Sequence, residues 1–121
     1  MKILNIRAFV PSGKDYSKSK EFFVDLGFTI RFDGGGFCVM ERDGCEFFLQ
    51  NFHNEELAHN FMMAVGVDNA EEFRNQVIEK KLPEKYGIKV WPVVTQPYGK
   101  EVNISDVAGC LWHFVEPPAQ S

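Results

Sequence analysis

One order of secondary-structure signals occurs twice along this chain, and that repetition narrows the possible folds more than any single motif does. The opening stretch, Ile3 to Val10, is rich in β-formers and ends at Pro11-Ser12-Gly13, a strand followed by a turn. A helix comes next. Asp15 or Ser17 can cap it, Phe22, Phe23 and Leu26 form a narrow apolar stripe with Ser19, and Gly27 closes it. Three strand candidates follow: Phe28 to Phe32, Gly36 to Glu41 and Cys45 to Gln50. Asp33-Gly34-Gly35 and Arg42-Asp43-Gly44 separate them, and both tolerate the positive φ of tight hairpins. The order is βαβββ.

A polar connection, Asn51 to Asn60, leads into Phe61 to Val67, an apolar run of strand length. Asp68 or Asn69 caps a second helix whose Ala70, Phe73 and Val77 recur at helical spacing, while Glu71 and Glu72 complement the dipole of its first turn. Beyond Pro83 the chain offers Ile88 to Val94, Glu101 to Ser105 and Cys110 to Val115, joined by Gln96-Pro97-Tyr98-Gly99 and Asp106-Val107-Ala108-Gly109. The order is again βαβββ, followed by a tail at 117–121 that reads as frayed. A unit of about 60 residues that occurs twice predicts an α+β fold built by internal duplication. At 121 residues the chain is too short for two independent domains, so the expectation is a single domain of two tandem modules, 1–55 and 56–121. Asp43 to Leu49 and Ala108 to Phe114 superpose Gly on Gly, Cys on Cys and Phe47 on Trp112.

Twelve Phe, two Trp and three Tyr are more rings than so small a core readily buries, which points to a pocket or a subunit interface lined with aromatic side chains. The net charge is −4 with Lys and Arg scattered singly, which excludes a nucleic-acid or membrane-surface partner and leaves a cationic ligand open. The segment MKILNIRAFV reads as a first strand instead of a signal peptide, and no apolar run is long enough to span a bilayer. A cytoplasmic location is therefore expected. Cys38, Cys45 and Cys110 are odd in number and lack CxxC spacing, and they read as buried reduced thiols.

Several stretches resemble one known family in order and spacing. They are Phe22 to Phe28, which ends in Leu-Gly-Phe; Val67-Asp68-Asn69 at the second helix; Gly99-Lys100-Glu101; and Asp106-Val107-Ala108-Gly109, where Val107 stands in place of the usual Pro. The family is the vicinal oxygen chelate superfamily of glyoxalase I, extradiol dioxygenases, fosfomycin-resistance thiol transferases and bleomycin-resistance proteins. Phe32 with Phe37, the strand of Phe48 and the ending Trp112-His113-Phe114 are most similar to the bleomycin-resistance-like branch. The resemblance implies two βαβββ modules that form an incomplete barrel. It also implies a homodimer in which the halves of a cup can come from different chains.

Metal-dependent members of that family carry one ligand on the first and one on the last strand of each module, normally His or Gln and then Glu. Carried over, these positions fall on a residue among Asn5 to Ala8, on Phe48, on Phe61 or Met62, and on His113. Only His113 can ligate, and a catalytic divalent ion needs three or more donors. No metal and no other cofactor is expected. His53 and His59 lie in the polar connection and read as solvated.

Period two along the last strand puts Leu111, His113 and Val115 on one face and Cys110, Trp112 and Phe114 on the other. The duplication puts Phe48 on the face of His113, and that face is expected to be the concave one. The candidate pocket is Phe32, Phe37, Phe48, Met62, Trp91, Tyr98, Glu101, Asn103 and His113. The rings of Phe32 and Phe37 can clamp a flat ligand or simply pack across their hairpin. Glu101 can meet a cationic or hydroxyl-bearing group, or face solvent. The leading expectation is a metal-independent binding protein that sequesters a partly aromatic molecule, open to a cationic group, at a dimer pocket. The alternatives are a metal-dependent lyase, isomerase or dioxygenase of the same superfamily and a metal-free enzyme using Glu101 or His113 as a base.

Overall fold

The computed structural model describes residues 1–119; Gln120 and Ser121, the end of the expected tail, lie outside the described residues. The short β1 (Phe9–Pro11) leads to α1 (Tyr16–Asp25), whose N-cap is Asp15, its carboxylate accepting from the Lys18 amide. Ser19, Phe22 and Phe23 are buried along α1, and Gly27 follows its end at φ +109°. Then come β2 (Thr29–Asp33), β3 (Phe37–Arg42) and β4 (Cys45–Gln50). After α2 (Glu55–Asn60), the second half runs β5 (Met62–Gly66), α3 (Ala70–Glu79), α4 (Leu82–Tyr86), β6 (Val94–Gln96), β7 (Gly99–Ser105) and β8 (Leu111–Glu116). Asn69 caps α3, which buries Ala70, Phe73 and Val77 as the helical spacing predicts.

The strands form two four-stranded mixed sheets of identical order, β1-β4-β3-β2 and β5-β8-β7-β6. In each, the first strand runs parallel to the last and the rest pair antiparallel. Neither sheet closes on itself, so the fold is α+β with an incomplete barrel. One face of each sheet is covered by helices, and the two covered faces share one core. Phe47 of β4 meets Trp112 of β8 edge to face at 5.2 Å, and Phe23 of α1 reaches Trp112 at 5.4 Å. Such ring pairs contribute about 0.5–1.5 kcal/mol each beyond the apolar area they bury.

Four expectations need correction. The first strand begins at Phe9, not Ile3, because Phe9 pairs with Phe48. In that register Ile6 is level with Cys45, where β4 starts, so the residues before it have no neighbour to pair with. Ile3, Leu4 and Ile6 are accordingly exposed. The strand expected over Ile88 to Val94 is instead one bridge, Val90 with Ile104, and then β6, since Pro92 has no N–H to donate to a ladder. The polar connection contains α2, capped by Asn54. Cys38 and Cys110 are buried, but Cys45 is exposed beside the hairpin turn.

Candidate functional site

Alternation along each strand leaves the face opposite the helices open, and the two open faces are built from different chemistry. On the first sheet each strand contributes one ring. Phe9 stacks on Phe48 with centroids 4.5 Å apart, Phe48 meets Phe37 edge to face at 5.7 Å, and Phe37 lies 5.9 Å from Phe32. A β-bulge between Ile30 and Phe32 sets Phe32 opposite Val39, which is buried although it stands apart from the main core. Gly34 permits the closeness of the last pair, since a Cβ there would stand 3.1 Å from the Phe32 ring and 3.2 Å from that of Phe37. Phe9 and Phe32, the two ends of the row, are 54% and 53% exposed. The Arg7 guanidinium lies over Phe48, 4.8 Å from the centroid, and it pairs with Glu46, which also accepts from Arg31.

On the second sheet hydrogen bonds replace rings. The Glu101 carboxylate accepts from His113 Nδ1 at 3.0 Å and from the Tyr98 hydroxyl at 2.9 Å. His113 Nε2 then lies 3.4 Å from the Met62 sulfur, which completes a chain from β5 to the β6–β7 turn. The bond to Glu101 raises the Tyr98 phenol above its ordinary range. Gly99 sets that turn at φ +137°, where a Cβ would fall 2.1 Å from the Glu116 carbonyl oxygen. Beside the chain is a cavity of about 250 Å³. Trp91, Val94 and Leu111 give it apolar walls, and Gln96, Glu101 and Asn103 supply its polar atoms.

The expected residues thus fall into two groups. Phe32, Phe37 and Phe48 come together on the first sheet; Met62, Tyr98, Glu101 and His113 come together on the second, with Trp91 and Asn103 at the cavity. Sequence reasoning missed Phe9, Gln96, Val94 and Leu111. The residues paired with Phe48 and His113 are Phe9 and Ala64. Two rings, a methyl group and one imidazole do not hold a divalent ion. Among the described residues no group of three or more His, Cys, Asp or Glu side chains is arranged to do so. His53 and His59 are both exposed, and His59 lies against Gly109. Among the described residues no helix is long and apolar enough to cross a membrane.

No family model matches the chain, and no curated protein sequence matches it. Solved structures do. The bleomycin-binding protein of the bleomycin producer Streptomyces verticillus, in complex with copper(II)-bleomycin, superposes with a TM-score of 0.78 at 20% identity, over 97% of this chain and 100% of that one. TnmS3, an antibiotic binding protein from Streptomyces sp. CB03234, gives 0.79 at 19% identity over 98% and 99%. The fosfomycin resistance protein FosX of Listeria monocytogenes gives 0.74 at 10% identity over 97% and 94%. The likeness is one of fold: this chain has the fold shared by these bleomycin-binding, antibiotic-binding and fosfomycin-resistance proteins.

Proposed function

We propose that this chain is a cytoplasmic, homodimeric, metal-independent binding protein that sequesters a small, partly aromatic molecule in a cup formed by the open sheet faces. The observation that carries the reading is the row of four rings, one from each strand of the first sheet, left uncovered at both ends. Rings on an exposed face cost solvation unless something covers them, and a flat ligand covers them best. The donor set supports binding over metal-assisted turnover, because among Phe9, Phe48, Ala64 and His113 only His113 can ligate where three or more donors are needed. Solved proteins of this fold include a bleomycin-binding protein and an antibiotic binding protein, which agrees with a sequestering role.

The dimer draws support from the arm before β1, where Ile3, Leu4 and Ile6 are exposed and the first two lie beyond the start of β4. In such a dimer the aromatic face of one protomer opposes the hydrogen-bonded face of its partner. A thermal-shift screen of flat aromatic compounds, bleomycin-type glycopeptides among them, tests the binding role. A ligand at 100 times its dissociation constant adds about 2.7 kcal/mol to the stability of the folded state. A panel that leaves Tm unchanged at millimolar concentration refutes the role. Sedimentation as a monomer at micromolar concentration removes the shared cup.

A further inference from the structure

We infer that the cavity beside Trp91 on the second sheet is a subsite for a primary ammonium group of the ligand, an inference that rests on the binding role proposed above. Glu101 is only 7% exposed, and among the described residues no Lys or Arg pairs with it; its hydrogen-bond partners there are His113, Tyr98 and, at 3.5 Å, Gln96. Asn103 stands two residues along β7 on the same face, and its buried Oδ1 has no hydrogen-bond partner among the described residues. Both residues line the cavity. The orphaned buried acceptor of Asn103 is unfavourable until a donor reaches it, and the buried Glu101 carboxylate beside it, held by neutral donors and an imidazole but by no Lys or Arg, favours a donor that carries positive charge.

The complementary group carries positive charge and several N–H donors without lone pairs. An –NH₃⁺ has three donors and no acceptor, whereas a hydroxyl brings one donor and lone pairs of its own. Trp91, 42% exposed, lines the same cavity and brings an indole, the ring that attracts a cation best, within it. The first sheet repels such a group, because Arg7 already lies over Phe48. The two faces thereby assign the two ends of a ligand, ring to the first sheet and amine to the second.

Anthracenylmethylamine, anthracenylmethanol and the anthracenylmethyl trimethylammonium ion share one ring system and differ in the head group. Each is titrated into the full-length protein and followed by probe fluorescence anisotropy. The amine is expected to bind at least about ten-fold tighter than the alcohol, the size of one charge-assisted hydrogen bond, with the trimethylammonium ion in between. Glu101→Gln and Asn103→Leu should each shrink the advantage of amine over alcohol to about three-fold or less. Asn103→Asp should tighten the amine, a gain that misfolding cannot produce. Equal binding of amine and alcohol, no binding of the amine at millimolar concentration, or an advantage that survives both Glu101→Gln and Asn103→Leu overturns the subsite. If amine and alcohol bind equally and both weaken in Phe48→Ala, the subsite falls and the binding role stands. If neither these probes nor the wider aromatic panel binds, both fall.

Discussion

The two sheets have the same strand order and nearly the same inner surface, yet their outer surfaces share almost nothing. Inside, Phe47 and Leu49 on β4 face Trp112 and Phe114 on β8, all of them buried. Outside, Phe9, Phe48, Phe37 and Phe32 on one sheet stand against Ala64, His113, Asn103 and Glu101 on the other. The inner faces must fill one core at close-packed density, which ties both sheets to bulky apolar side chains. Nothing in the core constrains the outer faces, so they can diverge toward a ligand. Ring stacking serves one end of a molecule and hydrogen bonding the other.

The largest effect expected from this contrast separates inner from outer rings. Trp112→Ala removes a side chain packed on Phe23, Phe47 and Phe114 and should cost about 3–5 kcal/mol in chemical denaturation. Phe48→Ala, its counterpart on the open face, should cost no more than about 1.5 kcal/mol, the scale of the stacked pair it breaks with Phe9. Equal losses would make the aromatic row a second core and end the comparison.

The hairpin turns sharpen the contrast next. In the second sheet Asp106 is buried and accepts from the Trp112 indole at 2.8 Å and from the Gly109 and Cys110 amides; in the first sheet Asp43 is exposed at φ +51°. Burial pushes the Asp106 carboxyl up from 3.8 to about 6. The folded state therefore holds a proton that the unfolded chain has released. Its contribution to stability is complete below pH 3.8 and is lost as pH rises through about 6. Denaturation at stepped pH should show wild-type stability falling by on the order of 3 kcal/mol across that window, and Asp106→Asn should lack the fall. A rise with pH across the same window would contradict the assignment.

Affinity effects come third. For a flat aromatic ligand, calorimetry should find at least about a ten-fold loss in Phe48→Ala and no more than about three-fold in Tyr98→Phe, which only removes one donor to Glu101. The smallest effect belongs to the first hairpin. Asp43→Gly relieves a positive φ at an exposed turn and should shift stability by less than about 0.5 kcal/mol.

The sequence already separated inner from outer faces, because period two needs no knowledge of the partner strand. It placed Phe48 with His113 and Phe47 with Trp112 before any pairing was known. The parallel register was not legible, since neighbours in a parallel pair lie tens of residues apart and no local turn fixes them. That is why Phe9 was overlooked and Ala64 was not recognised as the neighbour of His113. The interruption at Pro92 was missed because the apolar residues around it read as strand while the proline has no N–H for a ladder. Helix α2 carried its signal, Asn54 followed by Glu55 and Glu56, but has too few apolar residues for periodicity to reveal it.

Backbone amide NMR of the isotope-labelled protein, titrated with anthracenylmethylamine, tests the central claim most directly. Shift changes should concentrate at Phe9, Phe37 and Phe48 on the first sheet and at Trp91, Glu101, Asn103 and His113 on the second. Changes confined to α1 and α3, with both open faces silent, would contradict the account.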